Sequence, residues 1–212
     1  MKKPMVTLQT KTSFSQTLQR VLEFHLDEGA TIVDPTPGKK HSWQYYLKEI
    51  KKPSLLPISN FNVVFIEDDI TSFALTTGWA NIAGPADAIF YDPPYIFGTS
   101  QEQDSRVHDY GNYNYFEEAV AEFFSIANKM FPSFLKDDGK LFIKYTDVFS
   151  LQDREYFFCA NKWPSILSNF KVIDHYIIVH HHISPTAWQV KDRPCGIVNY
   201  TYLTVLKKRV QS

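Results

Sequence analysis

The chain is 212 residues long, carries 22 Lys and Arg against 23 Asp and Glu, and has a formal net charge of −1. Hydrophobic residues make up 44% and aromatics 16%, which fits one folded domain with a good core and excludes a disordered segment. The near-neutral balance argues against a bulk nucleic-acid coat, for which a strongly basic domain is expected, but leaves room for an enzyme with a local basic rim.

No apolar run reaches the length of a membrane span, and Met1-Lys2-Lys3 is followed by polar residues instead of a signal-peptide core. A cytoplasmic chain with no membrane association is expected. Cys159 and Cys195 are far apart and fit no metal spacing, so they read as reduced thiols.

In chain order, Leu18, Val21, Leu22 and Leu26 recur at helical spacing, with Ser15 as N-cap and Gly29 beyond the end. Ala30 to Val33 is a short β-branched strand that ends in Asp34. Pro35-Thr36-Pro37-Gly38 then forms a tight loop opening onto a helix from about Ser42 to Ile50. A strand, a Pro/Gly loop and a helix N-terminus make the usual ligand cradle of a βαβ unit. Lys48 to Pro57 is a basic, proline-bounded connection, and Leu55 to Ile58 is a candidate short strand. Asn62 to Ile66 is a firmer strand that runs into Glu67-Asp68-Asp69-Ile70. Thr71 to Ile82 reads as a helix, and Gly84-Pro85 turns the chain into the next strand.

That strand, Ala88-Ile89-Phe90-Tyr91, ends in Asp92-Pro93-Pro94-Tyr95. Neither proline can donate to a sheet ladder and both fix φ, so the strand stops in a rigid tip. Open α/β sheets bind their ligands at the carboxyl ends of strands. Asp92 and the carbonyls of the prolyl segment offer acceptors there, and Tyr95 offers a flat π-face. The set suits a planar ring bearing an exocyclic amino group. A turn in which Asp92 only shapes the backbone is the competing reading.

Ile96 to Tyr115 is a long polar connection, read either as a lid over the tip, with Tyr113 in it and Arg106 and His108 meeting phosphate, or as a merely mobile loop. Phe116 to Leu135 is an amphipathic helix with Val120, Phe123, Phe124, Ala127 and Phe131 on one face. Asp137-Asp138-Gly139 turns into the strand Lys140 to Tyr145, in which Lys144 is expected to be structural. A further helix is expected over 156–169, interrupted at Pro164. Phe170 to Ile183 and Asn199 to Lys207 read as a closing hairpin. His180-His181-His182 is no metal site, because consecutive strand residues point to alternate faces, and no metal is expected anywhere.

The tetrad Asp92-Pro93-Pro94-Tyr95 resembles the catalytic motif of the amino-methyltransferases, S-adenosylmethionine-dependent enzymes that methylate an exocyclic nitrogen of a nucleobase. Asp34-Pro35-Thr36-Pro37-Gly38 resembles their cofactor motif, with Lys40 where the family has a second glycine. The element order agrees over nearly the whole chain.

The resemblance implies a class I methyltransferase fold, an α/β mixed sheet with helices on both faces and an antiparallel C-terminal hairpin. It implies one domain over 1–212 without a separate target-recognition domain. Catalysis would fall to Asp92, Pro93, Pro94 and Tyr95. S-adenosylmethionine would be held by Asp34, Pro35, Thr36 and Gly38, with Thr12 and Phe14 near its carboxylate. Asp69, or Asp68 as the alternative, would accept from its adenine amino group, and Ile70 would pack on the ring. No acid follows the candidate strand at Leu55 to Ile58 to hold the ribose; Asn60 could substitute, or Glu67 if Asn62 to Ile66 is really the second strand. Trp188, Lys191 and Arg193 would face nucleic acid.

Asp in the first position of the tetrad favours adenine N6 over cytosine N4 as the target, and a duplex base would be flipped out to reach it. DNA is expected ahead of RNA as partner. Specificity would come from the two loops, a second copy or an accessory subunit. An RNA methyltransferase acting on guanine N2 or adenine N6, and a catalytically silent binding subunit that kept the fold, are the alternatives.

Overall fold

In the computed structural model the described residues are 13–37, 40–43, 61–66, 84–93, 116–150, 155–157, 166–179 and 200–209. They build one six-stranded sheet and a separate two-stranded one.

Helix α1 (Phe14–His25) begins at Ser13, not at Ser15. Ser13 accepts from the Gln16 backbone N–H at 3.2 Å, and the Gln16 side chain accepts from the Ser13 N–H at 3.1 Å. This reciprocal capping box needs a side chain able to reach back from three residues on. Gln16 supplies it for Ser13, whereas Ser15 has only Leu18 at that spacing and lies buried within the helix. The helix gives way to extended backbone at Leu26, and Gly29 turns at φ 80 into the first strand.

The strands β1 (Thr31–Asp34), β2 (Asn62–Phe65), β3 (Ala86–Tyr91) and β4 (Leu135–Tyr145) are mutually parallel in the order β2-β1-β3-β4. Asn62–Phe65 thus lies directly beside β1, in the place of a second strand, with Val63 opposite Ile32. The sheet continues through β8 (Tyr200–Lys208) to β7 (Phe170–Val179), and β8 runs antiparallel to both its neighbours. The mixed α/β sheet with its antiparallel C-terminal pair is therefore present as expected.

Both faces of the sheet are covered. On one, Leu18, Val21 and Leu22 of α1 pack with Ile32, Ala88, Phe90, Phe142 and Val205. On the other, helix α2 (Phe116–Phe134) sets Phe123, Phe124, Ala127 and Phe131 against Ile89, Tyr91, Leu141 and Ile143. Alternate residues of β3 and β4 go to alternate clusters, as the two-residue period of a strand dictates.

The acidic Gly turn lies inside β4 as a bulge. The register passes from Ala86 opposite Leu135 to Ala88 opposite Lys140, so Lys136 to Gly139 loop out before the strand settles. A Cβ on Gly139 would stand 2.8 Å from the Lys136 carbonyl oxygen, which explains the glycine.

Two expected helices fall mostly outside the described residues. Of the segment from Ser42 the structure describes a single 3-10 turn, His41–Trp43, while 44–50 lie outside. Of the segment 156–169, residues 158–165 lie outside and Ile166 is helical, but its start differs: Glu155–Phe157 is a short strand, β6, antiparallel to β5 (Val148–Ser150). Glu155-Tyr156-Phe157 puts two aromatics in a row, a composition that favours pleated pairing over a helix.

Candidate active site at the carboxyl end of the sheet

From β1 the sheet grows in both directions, to β2 on one side and to β3 on the other. The crevice at such a reversal is where open α/β sheets take ligands. Asp34 ends β1 and Asp92 follows β3 at this point.

Asp34 is almost fully buried, at 1% exposure, and both its oxygens are occupied. Oδ1 accepts from the Thr36 backbone N–H at 2.8 Å and from the Thr36 hydroxyl at 3.2 Å. Oδ2 accepts from the Trp43 indole N–H at 2.6 Å. The Trp43 ring is itself held edge-on against Phe90 and Phe65. Burial pushes the Asp34 carboxyl up to about 7, with the nearby charge of Asp92 adding to the rise and the donors from Trp43 and Thr36 opposing it. Asp34 shapes the loop that follows it.

Lys40 is the one non-glycine with positive φ among the described residues, at φ 56. The left-handed turn that a glycine adopts freely is thus kept at this position despite the side chain. The Lys40 ammonium sits 4.6 Å over the ring of Phe65, on β2, the opposite side of β1 from β3 and Asp92.

Asp92 is fixed from several directions. Its backbone N–H donates to the Thr36 hydroxyl at 2.8 Å. Its Oδ2 accepts from the Lys144 ammonium at 2.6 Å and from the Ser42 hydroxyl at 3.3 Å. Its Oδ1 is buried and has no hydrogen-bond partner among the described residues. Lys144 reaches Asp92 because Tyr91 and Ile143 are register partners on parallel strands, so the next residue on each side meets its neighbour. The Lys144 ammonium also lies 4.8 Å over the Phe14 ring, which brings the start of α1 to the site.

Beside this centre, at the same end of the sheet, Asp147 is buried and accepts from the Tyr200 hydroxyl at 2.7 Å and the Tyr202 hydroxyl at 3.0 Å. The bond to Asp147, with burial, pushes the Tyr200 phenol up, and burial first does the same for Tyr202. This cluster ties the end of β4 to β8.

Of the residues expected at the site, Phe14, Asp34, Pro35, Thr36, Asp92 and Pro93 are brought to one end of the sheet. Thr12, Gly38, Asp68, Asp69, Ile70, Pro94, Tyr95, Arg106, His108, Tyr113, Trp188, Lys191 and Arg193 lie outside the described residues. Ser42, Trp43 and Lys144 were not singled out for the site from the sequence, yet all three bond to its acids. The signal for Lys144 was a cation closing an apolar strand, which gains meaning only once that strand is known to adjoin β3. Among the described residues there is no group of three or more His, Cys, Asp or Glu that could hold a metal, and no helix long and apolar enough to cross a membrane.

No protein-family model matches this chain, and no curated protein matches it. Solved structures similar to it include TrmN from Thermus thermophilus, at 13% identity over 92% of this chain and 48% of that one, with a TM-score of 0.46. The chain spans about half the length of that protein. A second is the Burkholderia thailandensis 1,6-didemethyltoxoflavin-N1-methyltransferase bound to S-adenosylhomocysteine, at 12% identity over 95% of this chain and 80% of that one, TM-score 0.46. A third is an rRNA methylase from Streptococcus thermophilus, at 11% identity over 95% of this chain and all of that one (100%), TM-score 0.42.

Proposed function

We propose that this chain is an S-adenosylmethionine-dependent methyltransferase that acts on an exocyclic amino group of a nucleobase, adenine N6 in DNA. The observation that carries the reading is the buried Oδ1 of Asp92 at the reversal point of the sheet, a hydrogen-bond acceptor held rigid and accepting from none of the described residues. Leaving a buried acceptor unpaired costs about 1–3 kcal/mol, and such groups are explained by a ligand or a role in chemistry.

The residues at hand fit the cofactor. The Asp34-Pro35-Thr36 turn is braced by Trp43, and the left-handed backbone at Lys40 keeps the turn that the family builds with glycine. Glu67, in sequence next to Ile66 beyond β2, takes the place of the acid that meets the ribose, because β2 is the neighbour of β1. Asp68, Asp69 and Ile70 remain assigned to the cofactor's adenine, and Thr12, Phe14 and Gly38 to its methionine part. When bound, S-adenosylmethionine supplies a methyl group on a sulfonium that carries its own leaving group.

The protein then has to orient an amine and raise its electron density. The lone pair of an aromatic amine is delocalised into its ring, which makes it a poor nucleophile. A hydrogen bond from the amine to Asp92 Oδ1 and another to a carbonyl of the Pro93-Pro94 segment return density to the nitrogen and aim its lone pair, and the proton made acidic by the transfer passes to Asp92 or to water. Tyr95 stacks on the ring. Arg106, His108, Tyr113, Trp188, Lys191 and Arg193 are assigned to the nucleic-acid contacts.

Incubation of the chain with methyl-labelled S-adenosylmethionine and either DNA or RNA, followed by identification of the labelled nucleoside, tests the reading. N6-methyl-2′-deoxyadenosine from DNA is expected. Label in RNA instead would replace the substrate, and no cofactor binding in calorimetry would leave a binding subunit with a methyltransferase-like sheet.

A further inference from the structure

We infer that Lys144 is a positioning residue for Asp92: it engages Oδ2 and so reserves Oδ1 for an N–H of an uncharged aromatic amine. This rests on the methyltransferase reading and adds to it a residue and a restriction on substrate class.

The argument begins with register. Tyr91 and Ile143 face each other on parallel strands, so Asp92 and Lys144 follow side by side at the carboxyl end of the sheet. Phe142 of β4 points to the α1 face, and Lys144, two residues on, follows on that face with its ammonium over the Phe14 ring. The pair is 2.6 Å apart, with 16% and 18% of the two side chains exposed, so salt screens it weakly.

A carboxylate on a free χ2 torsion presents either oxygen to a ligand. With Lys144 and Ser42 both donating to Oδ2, the plane of the Asp92 carboxylate is set and the two oxygens are no longer equivalent. Among the described residues nothing donates to Oδ1, which leaves it for a new donor. The ammonium also restricts what can approach. A protonated aliphatic amine would bring a second positive charge to a carboxylate that already holds one, and like charges at this range repel. A neutral amino group on a nucleobase meets no such penalty.

The test compares wild type with Lys144→Met, Lys144→Arg and Asp92→Asn. The first readout is the nitrogen–proton correlation of the Lys144 ammonium in NMR, which reports the pair without any cofactor. It is expected to be protected from water exchange in wild type and lost in Asp92→Asn. The second is methyl transfer to a nucleic acid beside cofactor affinity by calorimetry. Lys144→Met is expected to lose about tenfold or more in kcat while cofactor Kd stays within about threefold, and Lys144→Arg to recover part of the loss. Should Lys144→Met fail to fold, Lys144→Arg and the ammonium signal decide. An ammonium signal indifferent to Asp92→Asn, or wild-type kcat and KM in Lys144→Met, overturns the inference alone. A wild-type chain that neither binds S-adenosylmethionine nor transfers methyl overturns the methyltransferase reading and takes the assigned substrate with it.

Discussion

The backbone N–H of Asp92 donates to the Thr36 hydroxyl across 2.8 Å, and that hydroxyl reaches Asp34 Oδ1 at 3.2 Å. One side chain therefore links the end of β1 to the tip after β3. Thr36→Val removes the hydroxyl but keeps the shape, leaving the Asp92 N–H without its acceptor. The expected cost is about 1–3 kcal/mol in unfolding stability, with cofactor binding and methyl transfer declining together because both strand ends lose their common tie. Thr36→Ser is expected to keep both, as read by chemical denaturation and calorimetry on the two variants.

Asp34 predicts an inverted pH dependence. Its carboxyl is held up to about 7 by burial, against an ordinary value of 3.8. Between those two values the folded chain keeps a proton that the unfolded chain has released. Stability therefore falls as pH rises through that window, by at most ~1.4 kcal/mol per pH unit from this group. Asp34→Asn lacks the titration and is expected to show a flatter profile from about pH 4 to 7. It also turns an amide N–H towards the Trp43 donor, which costs about 1–2 kcal/mol at the low-pH end. Urea midpoints measured across the window distinguish the two profiles.

Lys40 occupies φ 56, a conformation that is strained for a side chain by roughly 1–2 kcal/mol. In Lys40→Gly that strain is relieved, while the freer unfolded chain takes back about 0.4–1 kcal/mol. The variant is expected to be as stable as wild type or slightly more so, with cofactor affinity retained. Lys40→Val adds a branched Cβ at a left-handed position and is expected to lower both. Thermal unfolding and calorimetry on the pair provide the check.

Gly139 carries the bulge at the start of β4. Its substitution by alanine brings a Cβ to 2.8 Å from backbone oxygen and 2.9 Å from the Leu135 Cβ, neither of which can move cheaply. Gly139→Ala is expected to cost about 1–3 kcal/mol. Methyl transfer measured well below the melting temperature should be little changed, since the bulge lies at the end of β4 away from Lys144.

Much of the architecture was legible in the sequence because period and punctuation agreed. The apolar runs ending in Asp34 and Asp92 became β1 and β3, and the Phe123-Phe124-Ala127-Phe131 stripe became the buried face of α2. What was not legible depended on neighbours distant in the chain. That Asn62–Phe65 adjoins β1 follows from strand pairing alone. Lys144 looked like an ordinary strand-end cation until register set it against Asp92. The Ser15 cap was misplaced by two residues because the capping box, Ser13 with Gln16, was not weighed against the apolar period. The start of the segment expected as a helix from 156 misled, because a short aromatic stretch is ambiguous between helix and strand until its partner is known.

The central claim is that the carboxylate of Asp92 orients the amine that receives the methyl group. The most direct measurement follows methyl transfer and S-adenosylmethionine affinity on the same preparations of wild type and Asp92→Ala. The account predicts that the variant binds the cofactor within about threefold of wild type while transfer falls by about a thousandfold or more. Turnover by Asp92→Ala at the wild-type rate would contradict it.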